Sequence, residues 1–353
     1  MTRCRQNPLL TVQNVTPSRP DLHVEGIFNC GACRFQNQIL LVCRVSESAG
    51  NTEEEVKIPL MKKSGNELHP GIICLIKKEH PELDFSDSRK VVKKVNGIQK
   101  TVYLTSFSHL RLAHSTDGIY FKVDAKPMLL PETEEESWGM EDPRITQIGT
   151  DYYISYTAVS PQGPATGLMH TRDFQNFERL GIIFAPANKD VVIFPQKING
   201  KYYALNRPAS LDFGPPVIWI SESPDLIHWG KQRKFFSGSG GSWENGRVGG
   251  GTVPFLTEKG WLEFYHAADE QNRYCLGAIL LDRNDPSRIL ARTREPLIQP
   301  EKDYEQNGFF ENTVFTCGCI PEKNRIILYY GAADDKICRA DFTLREVFKA
   351  MES

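Results

Sequence analysis

Aromatic and β-branched residues alternate with small or polar ones in five places along the chain. These are Gln38 to Arg44 (QILLVCR), Asp151 to Thr157 (DYYISYT), Lys201 to Asn206 (KYYALN), Gly260 to His266 (GWLEFYH) and Arg325 to Gly331 (RIILYYG). A period of two sends successive side chains to opposite faces, so each segment reads as a strand. A turn former stands at the start of each: Asn37, Gly149, Gly200, Lys259-Gly260 or Asn324. Each is followed by a second strand ending in an Asp-containing turn: Leu112 to Phe121, Leu168 to Phe177, Ile218 to Trp229, Gly277 to Leu290 and Cys338 to Phe348. Successive copies lie about 50–60 residues apart, near the length of one four-stranded propeller blade.

The pattern predicts an all-β chain, a five-bladed β-propeller forming a single domain over residues 1–353, whose axial pocket is where an active site would lie. A β-sandwich or several smaller β domains is the alternative that periodicity leaves open. Residues 45–102 contain an insertion in the first repeat, and its charged stretch Lys77 to Lys100 reads as a solvated excursion. The functional alternative is a wall of a substrate cleft or an oligomer contact. Leu344 to Met351 predicts a short amphipathic C-terminal helix.

Charge narrows the range of functions. The 353 residues carry 42 Lys+Arg and 44 Asp+Glu, so no global basic field gathers nucleic acid or anionic membrane, and a phosphate site must be local. No apolar run approaches the roughly 20 residues that span a bilayer, and Met1 to Pro8 is not followed by the apolar core of an export signal. Nine cysteines suit a reduced, cytoplasmic protein better than a disulfide framework. Cys30/Cys33 and Cys317/Cys319 lack the second pair or His partner a metal site needs, so they read as packed small residues and no metal is expected.

Candidate chemistry sits at strand ends. Glu132 to Glu136 reads as a solvated loop, whereas Trp138 and Met140 could wall Glu141 and Asp142 with apolar surface and raise a carboxyl toward proton-donor range. The plainer reading of Glu141 and Asp142 is a turn carboxylate paired with Arg144. Lys189, Arg207, Arg247 and His266 flank strands of successive repeats, and together they would form an oxyanion site that the Gly249 to Gly251 backbone can approach closely. Singly, each is a routine surface or salt-bridge residue. No nucleophile elbow, paired-His metal motif or P-loop is present in the sequence.

Several stretches together resemble glycoside hydrolase family 130, the mannoside phosphorylases and related β-mannosidases. They are GMEDPRITQIGTDYYISYTA, NKDVVIFPQKINGKYYALNRP, IWISESPDLIHWG, GWLEFYHAAD, YCLGAILLDRNDPSRILART and YYGAADD. The resemblance runs from about Asn7 to about Phe348, and the opening NPLLTVQNVTPSRPDLHVEGIFNCGA with CRVSES is most similar to members acting on β-1,2-linked mannooligosaccharides. It implies the same five-bladed architecture, Asp142 as general acid, and Arg207, Lys189, Arg247 and His266 as the phosphate and substrate set. Tyr274 and Asp334 match substrate-pocket positions, Asn29 and Arg44 join them, and Glu141 and Asp190 are further candidate substrate contacts in the matching segments. One departure is Gly249 to Pro254, where many family phosphorylases carry a proline-rich stretch.

The activity implied is inverting phosphorolysis of β-1,2-mannooligosaccharides, with inorganic phosphate as co-substrate, no other cofactor, and α-mannose 1-phosphate as product. Phosphate is already a nucleophile, so one acid suffices. The alternative within the family is an inverting hydrolase, for which Glu222, Glu244 and Glu263 are candidate water-positioning carboxylates. A noncatalytic carbohydrate-binding propeller, stacking sugar on Trp138, Trp243 and Tyr274, is the alternative of another class. Partners are then mannooligosaccharide and phosphate, with no nucleic acid and no membrane, and a homo-oligomer is left open.

Overall fold

The computed structural model describes residues 1–65, 67–209, 214–238 and 242–352. Each of the five strand pairs read from the sequence is an antiparallel pair. Further strands extend each pair into a larger group. The first group is His23–Phe35, Gln38–Ser48 and Ser106–Ser115, with the short Lys122–Val123 beside the last. The second is Gly139–Ile148, Asp151–Ser160, Gly163–Thr171 and Glu178–Phe184, joined to the first by one parallel pairing of Gly139 with Ser108.

The third group is Asn188–Ile193, Tyr202–Pro208, Ile218–Ser223 and Gly230–Phe236. The fourth is Arg247–Gly250, Trp261–Ala268, Tyr274–Leu281 and Ile289–Arg292, with Phe255–Leu256 against Trp261–Ala268. The fifth is Val314–Pro321, Arg325–Ala332 and Lys336–Thr343, and its edge is taken by Thr2–Arg3, so the two ends of the chain share a sheet.

Apolar side chains collect between groups. Leu40, Val42 and Leu112 of the first meet Met140, Ile145 and Ile154 of the second, and Leu168 and Ile183 meet Val191, Ile193 and Ala204. Phe194 and Leu205 meet Trp261 and Tyr265, Phe264 and Leu276 meet Ile326 and Leu328, and Ile327 and Tyr329 return to Ile27 and Leu41 of the first group. Fully burying side chains of this size stabilises by about 1.5–3 kcal/mol each, so these five seams hold the groups together. The helix Leu344–Glu352 buries Val347 against the seam of the fourth and fifth groups. Its start is capped reciprocally, Thr343 Oγ1 accepting from the Glu346 N–H at 3.1 Å and Glu346 Oε2 from the Thr343 N–H at 2.8 Å.

Two sequence expectations change. The insertion falls between Ser48 and Ser106 and is built of strands: Glu55–Ser64 pairs with Glu67–Ile76, and Lys90–Val95 with Ile98–Leu104. Val56, Ile58, Leu75 and Val91 give it a small core of its own, which a count of its charges conceals. Glu136 is buried, because the Tyr156 hydroxyl donates to it at 2.5 Å and the Arg179 guanidinium approaches to 3.3 Å. A run of acids therefore hides one structural carboxylate.

Candidate functional site

The first strands of four groups lose register, between Phe28 and Gly31, Glu141 and Arg144, Lys189 and Val192, and Thr316 and Gly318; that of the first group also slips between Val24 and Gly26. In the first three the bulge holds Asn29, Asp142 and Asp190 at φ of 47°, 49° and 56°. Asn and Asp enter this left-handed region more readily than other side-chain-bearing residues. A bulge re-aims a side chain out of the ladder, and all three residues line one cavity of about 420 Å³. Asp334, at φ 53° between Arg325–Ala332 and Lys336–Thr343, joins them.

The same cavity is lined by Arg44, Lys189, Arg207, Arg247 and Tyr274, so nine of the eleven residues singled out from the sequence share it. The other two stand directly behind. Glu141 accepts from Arg44 Nη2 at 2.8 Å and lies 3.7 Å from Lys189 Nζ, while His266 Nε2 is 3.2 Å from Asp190 Oδ2. Arg89, Lys90, Asn272, Phe310, Thr313 and Phe315 also line the cavity and were not anticipated. Arg89 and Lys90 come from the insertion, whose charge was visible in the sequence but whose direction was not.

Asp142 Oδ1 accepts from Asn29 Nδ2 at 2.9 Å and from Arg44 Nη1 at 3.1 Å. Arg144 is not its side-chain partner. The Arg144 guanidinium donates to the Asp142 backbone carbonyl at 2.9 Å, to the Gly250 carbonyl at 3.0 Å, and to Asp190 Oδ1 at 3.3 Å. Nor does an aromatic wall raise the Asp142 carboxyl. Burial pushes the Asp142 carboxyl up, but Arg44, Lys189, Arg144 and the Asn29 amide outweigh it and leave the group below its ordinary value. The raised carboxyl is Asp334, which burial pushes up to about 7 against the pull of Arg44, with Asp142 and Glu141 adding repulsion.

Across the cavity, Asp190 Oδ2 lies 2.9 Å from Arg207 Nη2. Burial opposes the charge on Asp190, yet Arg207, His266 and Arg144 hold it well below the usual carboxylate range. His266 is wholly buried, and desolvation brings it down to about 4 despite Asp190, so at neutral pH it is an uncharged imidazole rather than a cation. Gly249 makes this packing feasible: a Cβ there would sit 2.4 Å from His266 Nε2 and 2.5 Å from Asp190 Oδ2. Arg247 hydrogen-bonds Asn272 Oδ1 and lies 5.4 Å from the centre of the Tyr274 ring.

The carboxylates weighed for a hydrolase do not reach this cavity. Glu222 pairs with Lys201 at 2.7 Å, Glu244 accepts from the Tyr265 hydroxyl at 2.5 Å, and Glu263 accepts from the buried Gly251 N–H at 3.1 Å. Trp138 packs near Tyr103 and Trp243 stacks on Tyr265, so of the three aromatics proposed to stack on sugar only Tyr274 faces the cavity. Among the described residues no cluster of three or more His, Cys, Asp or Glu is placed to hold a metal ion. The arrangement can take up an anion among Lys189, Arg207 and Arg247 beside a hydroxyl-rich ligand facing Asp142 and Asp334.

Comparison with known proteins places the chain in a family. The family model for glycoside hydrolase family 130, described as beta-1,4-mannooligosaccharide phosphorylase, matches residues 95–353. The chain is 43% identical over 351 residues to a beta-1,2-mannobiose phosphorylase of Listeria innocua, covering 99% of this chain and 98% of that one. It is 40% identical to a 1,2-beta-oligomannan phosphorylase of a Thermoanaerobacter species, over 68% of this chain and 80% of the relative. The solved beta-1,2-mannobiose complex of the Listeria innocua enzyme superposes with a TM-score of 0.93 at 44% identity, covering 99% of both chains. With near-complete coverage at this identity and a family model matching most of its length, the chain belongs to glycoside hydrolase family 130.

Proposed function

We propose that the protein is an inverting phosphorylase that cleaves β-1,2-linked mannooligosaccharides with inorganic phosphate, releasing α-mannose 1-phosphate and a shortened sugar. The observation that carries the reading is Asp142 sharing one cavity with Lys189, Arg207 and Arg247. The relatives named above, phosphorylases of β-1,2-linked mannosides, support the substrate class. The absence of Glu222, Glu244 and Glu263 from the cavity lining weighs against the hydrolytic alternative, which needs a carboxylate base roughly 6.5–9.5 Å from the acid with a water between them.

In this reading Arg207, fixed by Asp190, holds the phosphate with Lys189 and Arg247, and neutral His266 stands behind them, its Nε2 3.5 Å from Arg207 Nη1 and 3.2 Å from Asp190 Oδ2. A phosphate oxygen attacks the anomeric carbon from the face opposite the glycosidic oxygen. The glycosidic bond breaks as the proton of Asp142 passes to the leaving oxygen, directly or through a sugar hydroxyl. Hydrogen phosphate gives up its own proton in turn, which restores Asp142, so the cycle consumes none. Lys189 is among the groups that depress Asp142, so an arriving phosphate that neutralises it shifts the acid upward, toward its protonated form. Asn29, Arg44, Glu141, Tyr274 and Asp334 would hold the mannosyl unit.

The sheet groups, with five apolar seams that return from the fifth group to the first, support a single five-bladed propeller over 1–353 with this cavity near its axis. Nine free cysteines support a reducing, cytoplasmic setting. The test is incubation of the purified protein with β-1,2-mannobiose with and without phosphate. Mannose 1-phosphate formed only with phosphate is expected; free mannose in both would indicate hydrolysis, and no product would indicate a binding protein.

A further inference from the structure

A second cavity, of about 590 Å³, adjoins the first and shares Arg89, Asn272 and Phe310 with it. Its other walls include Phe309, Arg273 and Asn312, so rings stand among hydrogen-bonding groups, the combination a sugar chain needs. Arg89 and Phe310 meet at the junction, the guanidinium carbon 4.9 Å from the ring centre. Neither is loose. Asp87 grips the Arg89 guanidinium at 3.0 and 2.9 Å, and the Thr105 N–H donates to the Arg89 carbonyl at 3.1 Å. The Phe310 N–H donates to the Ala333 carbonyl at 3.0 Å, and its ring meets that of Tyr274 edge-on at 6.0 Å.

We propose that Arg89 and Phe310 form an arch between an inner chamber, where phosphate meets the terminal mannosyl unit, and an outer chamber that binds the leaving chain beyond its first unit. This rests on the phosphorolysis reading and narrows it: the preferred substrate is a β-1,2-mannooligosaccharide of three or more units. The inner cavity is already committed to phosphate, the terminal mannosyl unit and the first unit of the leaving chain, so further units have the outer chamber to enter. The Arg89–Phe310 pair joins the insertion to the loop before Val314–Pro321, so chain-length preference is set by a segment outside the repeated strand pattern.

The test compares initial rates of mannose 1-phosphate release from β-1,2-linked mannobiose, mannotriose and mannotetraose at saturating phosphate. The expected kcat/KM for the triose exceeds that for the biose by about fivefold in the unaltered protein, and Phe309→Ala and Arg89→Ala each reduce that ratio to about twofold or less. Thermal melts of both variants report whether each remains folded. A triose-to-biose ratio near one in the unaltered protein, or a ratio that both folded variants preserve, overturns the arch while leaving phosphorolysis standing. No mannose 1-phosphate from any chain length overturns the phosphorolysis reading itself, and the arch with it.

Discussion

The Asp190 carboxylate stands 2.9 Å from the Arg207 guanidinium, with both side chains less than a tenth exposed. A buried pair of this kind orients its cation while leaving the rest of the guanidinium edge for an anion. Arg207→Ala is expected to raise the KM for phosphate more than tenfold and the KM for mannoside far less. It also takes one of two guanidinium partners from a buried carboxylate, Arg144 remaining at 3.3 Å, so unfolding should become easier by about 1–3 kcal/mol. Steady-state kinetics and denaturant melts measure the two effects separately, and equal rises in both KM values would remove Arg207 from the phosphate site.

Asp142→Asn preserves the hydrogen bond from Asn29 and the shape of the bulge but cannot deliver a proton. Turnover should fall by about 10²–10⁴-fold, the usual worth of a general acid. Mannobiose binding measured by calorimetry should change much less. A variant with most of its turnover intact would move the acid role elsewhere, and Asp334, held at about 7, is the neighbour best suited to take it.

The strand pairs are legible because alternation of aromatic and β-branched residues survives in every copy, from Gln38 to Gly331. The site is legible in its residue types: nine of the residues singled out face one cavity. What the sequence hides is direction. Nothing in Glu141-Asp142-Pro143-Arg144 says that a bulge turns Asp142 toward Arg44 while Arg144 reaches to Gly250 and Asp190. Local spacing instead suggests an Asp142–Arg144 pair. Arg89 is hidden for a related reason, since a cation in a charged hairpin looks solvated until the hairpin's own small core aims it at the cavity. The state of His266 is equally non-local, because its burial and the neighbouring cations come from other strands.

Glu263 gives the protein a pH-dependent stability. Burial pushes its carboxyl up to about 8, against the Gly251 N–H and Arg144. Folding therefore takes up a proton wherever the pH lies between the ordinary value of 4.5 and about 8, and stability falls as pH rises through that window. Glu263→Gln keeps an acceptor for the Gly251 N–H and has nothing to ionise. Its melting temperature should match that of the unaltered protein near pH 5 and exceed it near pH 9, by a stability difference on the order of a few kcal/mol. Parallel curves across that range would mean that Glu263 ionises as freely in the folded chain as in the unfolded one.

Gly249 tests whether the packing beneath the anion site governs its function. A methyl group there meets His266 Nε2 at 2.4 Å and Asp190 Oδ2 at 2.5 Å: His266 is fully buried, its ring 4.2 Å from that of Phe315, and Asp190 is tied to Arg207 and Arg144 and cannot move without them. Relief has to come from displacing Asp190, which moves Arg207 with it. Gly249→Ala should therefore cost about 1–3 kcal/mol in stability. Its loss of phosphate affinity should exceed what that cost explains, since at 25 °C a folded fraction near one leaves apparent KM values unaffected. Phosphate KM measured well below the variant's melting temperature checks this. A normal phosphate KM in a destabilised Gly249→Ala protein would show that Arg207 keeps its position without Asp190 beneath it.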